Sequence, residues 1–276
     1  MYQSLAPYNY RLTETQDTNK MDGINETTLK VGSDEHHLKK KQSISTNPKQ
    51  TWKRYFQIFV AETIATAFLM CFGCMGGIAG FDGSTKPPPL QGAFVFGLTV
   101  CSLITTFGHI SGAHMNPAVT VCFYMMGTID AIQVPIYILA EVIGATMGVG
   151  FLIALTPKVI LGDNPVCMTL PDPTVSTAQA LALEYTITTL LLLVLLSTSD
   201  VRNADKQETV PIKFAFLIIA VSLFGGPYTG ASMNPARSLA PAIWSNDWSY
   251  QWVYWVSPIL SGVITPLFYQ SCFPAD

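Results

Sequence analysis

The stretch that decides the fold is "SLFGGPYTGASMNPARS", residues 222–238, which places three glycines, two prolines, an asparagine and an arginine in apolar surroundings. Glycine and proline interrupt helices, so this stretch predicts an irregular loop between apolar segments. Asn234 followed by Pro235 is typical of a helix start, because Asn is a favoured N-cap and the missing N–H of Pro costs nothing in the first turn. The residues that follow, "RSLAPAIW", are too few to cross a bilayer and therefore predict a half-helix.

The rest of the chain has the composition of a membrane protein. Of its 276 residues 49% are hydrophobic and only 12% are charged. A bilayer span needs roughly 20 mostly apolar residues. Six stretches approach that length, at about 55–80, 90–108, 132–155, 177–198, 211–224 and 250–271. We therefore expect an all-α membrane protein with six transmembrane helices and two re-entrant half-helices.

The decisive stretch has a counterpart earlier in the chain. "GHISGAHMNPAVT" at 108–120 matches "GPYTGASMNPARS" at 226–238, and "AETIATAF" from 61 matches "LEYTITTL" from 183. The predicted channel domain, 52–276, thus contains two repeat halves, at about 52–156 and 177–272, behind a polar N-terminal tail, 1–51, that we expect to be disordered. Three spans per half make the repeats inverted. Inverted repeats with broken apolar segments predict a site at their interface near the bilayer midplane.

The two loops predict a pore. Non-helical backbone at membrane depth is tolerated only where it is buried in protein or lines a water-filled cavity. We expect the amides of Asn116 and Asn234 to donate to a permeant oxygen, while two helix N-termini face the same point and repel cations and protons. The two motifs are Asn116, Pro117, Ala118 and Asn234, Pro235, Ala236, and the predicted pore carbonyls are Gly112, Ala113, His114, Gly230, Ala231 and Ser232.

With these motifs and "WVYWVSP" in the last span, the sequence resembles the aquaporin (major intrinsic protein) family over roughly residues 52–271. The resemblance implies a right-handed six-span bundle, assembled as a homotetramer with one pore per subunit. It also implies passive transport, with no enzymatic activity, catalytic residues, cofactor or metal. The outer selectivity filter of the family falls on four positions of this chain: Phe96, Ser222, Ala231 and Arg237.

Ser222 departs from the water-selective members, which carry a histidine there. A hydroxymethyl group in place of an imidazole widens the filter, so we expect glycerol, urea and other small uncharged solutes to pass together with water. Ser238 follows Arg237 where bacterial-type glycerol facilitators usually carry an aspartate. A water-channel lineage without the filter histidine resembles the insect entomoglyceroporins, which are taken to conduct glycerol and urea. A strictly water-selective channel is the alternative.

Several titratable or reactive residues need an interpretation. Glu62 and Glu184 lie inside predicted spans, where acids are functional candidates by default. The resemblance implies instead that they accept hydrogen bonds from the N–H groups of the two loops, and that His109 lies at the cytoplasmic pore mouth. The six cysteines lie mostly in apolar runs, where free Cys packs as a small hydrophobe. No disulfide framework is therefore expected.

Two other classes of membrane protein compete with a channel. A coupled secondary transporter also uses inverted repeats, but it needs titratable groups along its path, where this chain offers only Arg237 and His109. A junctional membrane protein would need a long interaction tail or unusual outer loops, and the loops here are short. The net charge of −3 is too small to suggest a nucleic-acid partner.

Basic residues predict the orientation in the bilayer. They cluster before the first span and in the loop near 199–213, and the positive-inside rule puts both segments, and with them both termini, in the cytoplasm. We expect a plasma-membrane location. The basic residues concerned are Lys39, Lys40, Lys41, Lys49, Lys53, Arg54, Arg202, Lys206 and Lys213.

Overall fold

A computed structural model describes residues 48–79, 81, 89–162 and 166–274. The predicted disordered tail, apart from its last few residues, lies outside the described residues. Each regular element in these ranges is helical. The helices are α1 Pro48–Met75, α2 Pro89–Ser111, α3 Pro117–Met125, α4 Gln133–Leu155, α5 Lys158–Leu161, α6 Thr177–Ser199, α7 Val210–Thr229, α8 Pro235–Ser245 and α9 Val253–Cys272, with a 3₁₀ segment at Val201–Thr209 before α7.

The long helices have the length of membrane spans. Helices α1, α2, α4, α6 and α7 are long and apolar enough to cross a bilayer. Helix α9 has 20 residues, which at ~1.5 Å per residue reach the ~30 Å of a hydrocarbon core. Helices α3 and α8, with 9 and 11 residues, are half that length. The predicted all-α architecture is confirmed.

Helix packing repeats with inverted symmetry. Helix α1 packs on α2 and α4, and in the second half α6 packs on α7 and α9 in the same way. The halves also exchange their half-helices, because α3 packs on α9 while α8 packs on α4. Helices α2 and α7 pack on each other, as do α3 and α8. Each half-helix is thus supported by the last span of the opposite half, and the centre of the bundle belongs to both halves.

Glycines let α1 and α4 cross closely. A Cβ added at Gly144 would lie 2.4 Å from the carbonyl oxygen of Thr63, and one at Gly148 would lie 2.2 Å from that of Ala67. Small residues at such crossings bring helix backbones into contact, which is a main source of packing energy inside a membrane. This crossing holds the span that carries Glu62 against the span that carries Glu141.

The fifth span runs farther than the sequence suggests. Helix α7 continues to Thr229, past the expected end near residue 224, and includes Pro227 in its last turn. It ends where Gly230 adopts a left-handed conformation, with φ of 80°, and donates its N–H to the Gly226 carbonyl. A glycine in this conformation is a common helix terminator, since it has no Cβ to clash. The stop signal is therefore Gly230 rather than the earlier Gly-Gly-Pro.

The expectation that no cysteines are cross-linked is wrong. A disulfide joins Cys74, near the end of α1, to Cys167 in the segment between α5 and α6. The two residues are 93 positions apart in sequence, so the pair is brought together only by the packed fold. The other four cysteines, Cys71, Cys101, Cys122 and Cys272, are free.

Candidate functional site

The two half-helices begin at the paired asparagines. Asn116 caps α3, where its side-chain oxygen accepts from the Ala118 N–H at 2.9 Å. Asn234 caps α8 in the same way and accepts from the N–H groups of Ala236 at 3.0 Å and Arg237 at 3.2 Å. Pro117 and Pro235 are the first residues of the two helices. The local signals for a helix start therefore act as elementary capping rules predict.

The same two asparagines tie the loops to each other. The Asn116 amide nitrogen donates to the Met233 carbonyl at 2.9 Å, and the Asn234 amide nitrogen donates to the Met115 carbonyl at 2.7 Å. A side-chain amide has two hydrogens to donate. Within the described ranges the second hydrogen of each has no acceptor. Each asparagine therefore retains one amide hydrogen without an acceptor among the described residues, because the other is bonded to the opposite loop.

Backbone conformation in the two loops is unusual and is repeated. Three residues in each loop have positive φ, although only one of the three is glycine: Gly112 (94°), Ala113 (50°) and Met115 (50°), and Gly230 (80°), Ala231 (46°) and Met233 (54°). L-residues adopt this left-handed conformation only where the surroundings hold them in it. The matching pattern shows that the sequence repeat is also a repeat of backbone geometry.

The predicted pore carbonyls lie along one cavity. All six residues, Gly112, Ala113, His114, Gly230, Ala231 and Ser232, line it. Hydrogen bonds from described donors reach the adjacent carbonyls of Ser111, Met115, Thr229 and Met233. No described donor reaches the carbonyls of the six residues.

Buried carboxylates hold both loops in place. Glu62, which is fully buried, accepts from the Ser111 hydroxyl and from the N–H groups of His114 at 3.0 Å and Met115 at 2.7 Å. An unpaired N–H at this depth would cost several kcal/mol. The two Glu62 oxygens therefore satisfy the donors that the irregular backbone leaves without helical partners.

Glu184 does the same in the second half. It is fully buried and accepts from the Thr229 hydroxyl at 2.6 Å, the Ser232 N–H at 3.0 Å and the Met233 N–H at 2.9 Å. The pattern of accepted hydrogen bonds is the same as in Glu62. In each acid one carboxylate oxygen accepts from a hydroxyl and a backbone N–H, and the other oxygen accepts from the N–H of the next residue. Neither acid is among the residues that line the cavity.

A third buried acid, Glu141, contacts the first half-helix. Its Oε1 accepts from the Thr120 hydroxyl at 2.8 Å, and Thr120 Oγ1 lies 2.9 Å from Nδ1 of His114. The Thr120 hydroxyl thus links the Glu141 carboxyl group to the His114 ring. The His114 ring also stacks between Phe123 and Tyr137, at centroid distances of 4.5 and 4.1 Å. His114 is thus fixed by its neighbours on both faces.

A cavity of about 830 Å³ extends from one end of the bundle, past the two asparagine-capped loops, to the predicted filter residues. At one end it is lined by Arg54, His109 and Asp200. Near the other end it is lined by the four predicted filter residues, Phe96, Ser222, Ala231 and Arg237. Phe94, two residues before Phe96, is 43% exposed on the outside of α2. The structure therefore brings all four predicted residues to one cavity.

Arg237 has a fixed backbone partner. Its Nη1 donates to the Cys167 carbonyl at 2.7 Å, and its Cζ lies 6.0 Å from the centroid of the Phe96 ring. Sequence reasoning missed Cys167 at this site. Its only signal was a cysteine outside the apolar spans, and no residue type indicates which carbonyl will face an arginine.

A small polar cluster lies at the opposite mouth. Arg202 donates to both carboxylate oxygens of Asp200, at 2.9 and 2.6 Å, and also to the Phe273 carbonyl at 3.1 Å. Tyr269 donates its hydroxyl to Asp200 at 3.1 Å. The hydrogen bonds from Arg202 lower the pKa of Asp200 to about 2. The 3₁₀ segment is thus tied to the end of α9 beside the cavity.

Two inverted halves around one internal cavity have the architecture of an integral membrane channel, and comparisons with known proteins agree. The chain belongs to the major intrinsic protein family of aquaporins, whose family model matches residues 49–269. Members of this family are passive channels, not enzymes.

Similar proteins include aquaporin-4 of Mus musculus, 33% identical over 87% of this chain and 75% of the relative. Lens fiber major intrinsic protein of Rattus norvegicus is 37% identical over 78% of this chain and 81% of the relative. Among solved structures, the X-ray structure of the aquaglyceroporin from Plasmodium falciparum superposes with a TM-score of 0.72. It is 25% identical and covers 80% of this chain and 97% of its own.

Proposed function

We propose that this channel conducts glycerol, urea and other small uncharged solutes together with water, and excludes ions and protons. The observation that carries the proposal is Ser222, a small half-buried residue that lines the cavity together with Arg237 and Phe96. No described residue makes a hydrogen bond to its hydroxyl. A solute at this level meets a short polar group and free space where a histidine would fill the cavity.

The surrounding groups suit a polyol. A guanidinium carries five N–H donors in a planar fork, and Arg237 uses one of its nitrogens for the Cys167 carbonyl. The remaining donors can reach adjacent hydroxyls of one solute molecule. The Phe96 ring offers an apolar face to the carbon edge. Beyond this level the free loop carbonyls accept from hydroxyls, and the second hydrogens of Asn116 and Asn234 donate to them.

Exclusion of cations follows from the same geometry. The N-terminus of a helix carries roughly half a positive charge, and α3 and α8 both begin at the linked asparagines. Arg237 adds a full positive charge farther along the path. A cation or a proton meets two positive regions, whereas a neutral solute loses only water hydrogen bonds that the carbonyls and amides replace.

The strictly water-selective alternative is favoured by sequence similarity. Aquaporin-4 and lens fiber major intrinsic protein are more similar in sequence to this chain than the aquaglyceroporin from Plasmodium falciparum is. Sequence identity over the whole chain, however, is determined mainly by residues outside the constriction. Selectivity depends on the few side chains at the constriction, so Ser222 carries more weight in this decision.

We also propose cytoplasmic termini, a plasma-membrane location and a homotetramer. The orientation is supported by basic residues at the Arg202 end of the bundle and by the Cys74–Cys167 disulfide at the other end. Disulfides persist on oxidising, non-cytosolic faces of membranes, so both features favour the same orientation. The homotetramer and the similarity to the insect entomoglyceroporins rest on family resemblance.

Swelling of oocytes or proteoliposomes in glycerol, urea and water tests the solute proposal. We expect high glycerol uptake by the wild type, loss of that uptake in Ser222→His, and unchanged water permeability in the same variant. Ser222→Ala is the matched control and should still conduct glycerol, because the constriction stays wide. A wild-type channel that conducts water and rejects glycerol would establish the water-selective alternative.

A further inference from the structure

The Cys74–Cys167 disulfide lies directly behind the constriction. Cys74 is in the last turn of α1, only 4% exposed, and Cys167 precedes α6 by several residues. The two residues pack in one apolar cluster with Phe96, Met70 and Val149. The covalent link therefore joins a span to an irregular segment at the place where the predicted filter is formed.

Cys167 connects the disulfide to Arg237. Its sulfur is bonded to Cys74, and its carbonyl accepts from Nη1 of Arg237 at 2.7 Å. Its φ of 61° is left-handed, a conformation that a non-glycine residue keeps only when its surroundings impose it. The bond to α1 is a strong constraint of that kind. The orientation of the carbonyl that holds Arg237 thus depends on the disulfide.

The same point on α1 also holds Phe96. A Cβ added at Gly73, the residue before Cys74, would lie 2.8 Å from Cδ2 of the Phe96 ring. The ring therefore packs directly on the α1 backbone. Gly73 sets the position of Phe96 by contact, and Cys74 sets that of Arg237 through Cys167. Gly73 and Cys74 therefore act on two groups that lie close together, since the Arg237 Cζ is 6.0 Å from the centroid of the Phe96 ring.

The rest of the segment is held independently of the disulfide. The Thr169 hydroxyl donates to Ser238 at 2.7 Å, and the Asp172 N–H donates to the Tyr228 carbonyl at 2.9 Å. Loss of the disulfide should therefore release the backbone around Cys167 and leave the segment after it in place. Loss of the disulfide should therefore change the surroundings of Arg237 and leave the packing of the helix bundle intact.

We propose that the Cys74–Cys167 disulfide positions the filter arginine and so sets which solutes pass. The proposal rests on the proposed function in one respect, that Arg237 and Phe96 form the constriction. When the Cys167 carbonyl moves away, the guanidinium needs another acceptor, and the free carbonyls of Gly230 and Ala231 line the cavity. Arg237 then turns into the lumen and narrows it. The permeability to larger solutes therefore falls more than the permeability to water.

Serine variants test this in proteoliposomes of purified, folded protein. In Cys74→Ser, in Cys167→Ser and in the double variant, the ratio of glycerol to water permeability should fall by about two- to thirtyfold, the range of coupling effects found for residues that do not contact the ligand. The double variant should match the single variants, because all three lack the same bond. Cys272→Ser, which removes an exposed free thiol, is the matched control and should keep the wild-type ratio.

Chemical reduction of the wild type provides a second measurement if a variant fails to fold. A dithiol breaks the S–S bond by exchange: it supplies two electrons and two protons, Cys74 and Cys167 become thiols, and the reagent leaves as a cyclic disulfide. Thiol labelling and mass spectrometry verify the reduction before transport is measured. The reduced wild type should show the lowered ratio, and Cys74→Ser should not respond to the reagent.

An unchanged ratio in the reduced wild type or in folded serine variants would overturn the proposal, as would free Cys74 and Cys167 in native protein. Failure of the proposed function gives a different result, since the wild type then excludes glycerol. In that case the water permeability per channel is the readout. It should still fall when the disulfide is removed, because a narrower constriction also slows water.

Discussion

Tyr137 and Tyr254 close the two loops in the same way from opposite halves of the molecule. The Tyr137 hydroxyl, on α4, donates to the Ser111 carbonyl, and the Tyr254 hydroxyl, on α9, donates to the Thr229 carbonyl at 2.7 Å. Both rings are buried. Each tyrosine thus satisfies the last helical carbonyl before a loop, while Glu62 and Glu184 satisfy the N–H groups within it.

Removal of either hydroxyl should destabilise the bundle. Tyr137→Phe and Tyr254→Phe each leave a buried carbonyl without its donor, which costs about 1–3 kcal/mol. We expect a lower melting temperature in detergent for both variants and a similar loss for each, because the two environments match. Tyr228→Phe is the control, since Tyr228 is 54% exposed and its hydroxyl bonds to no described residue. Equal melting of all three variants would contradict this role.

The close crossing of α1 and α4 makes a second prediction about stability. In Gly148→Ala the new Cβ would lie 2.2 Å from the Ala67 carbonyl oxygen, so the two backbones must separate. Overpacking of this kind typically costs 1–3 kcal/mol. We expect a reduced yield of monodisperse protein in size-exclusion chromatography. In the control variant Gly226→Ala the new Cβ has no neighbouring atom within 4 Å, so the yield of monodisperse protein should equal that of the wild type.

The hydrogen bonds of Asp200 should make the stability of the protein depend on pH. Hydrogen bonds from Arg202 lower the pKa of Asp200 to about 2, below the ~3.9 of an unfolded aspartate. The stabilisation is therefore fully present above about pH 5 and is lost as the pH falls toward 2. Asp200→Asn should lower the melting temperature at neutral pH, and the difference from the wild type should vanish near pH 2.

Asp205→Asn tests whether any carboxylate in the 3₁₀ segment gives the same result. Asp205 is exposed and makes no ion pair with a described residue. The melting temperature of Asp205→Asn should therefore equal that of the wild type across the same pH range. A difference between wild type and Asp200→Asn that persisted undiminished at pH 2 would show that the carboxylate charge is not what holds the cluster.

Local rules explain which parts of the fold the sequence predicts. Capping by Asn116 and Asn234 depends only on adjacent residues, so the half-helix starts follow from the motif alone. The spans follow from apolar composition, and the inverted arrangement follows from an odd number of spans per half. Each of these inferences needs information from one segment at a time.

Contacts between distant segments could not be predicted in the same way. The Cys74–Cys167 bond joins residues 93 positions apart, and the Cys167 carbonyl is chemically like any other backbone carbonyl. The bond from Asn116 to Met233 depends on left-handed backbone at Met233, for which a methionine gives no sequence signal. The end of α7 at Thr229 also depends on the φ of Gly230, whereas the earlier Gly-Gly-Pro at 225–227 suggested an earlier stop.

The crossed bonds of Asn116 and Asn234 have a consequence for assembly. Each half supplies a donor whose acceptor lies in the other half, and each half-helix packs on the final span of the other half. A chain that held only one half would leave these groups unsatisfied unless a second copy entered the membrane in the opposite direction. Joining both halves in a single polypeptide removes the need for such dual insertion, since the odd number of spans reverses the second half automatically.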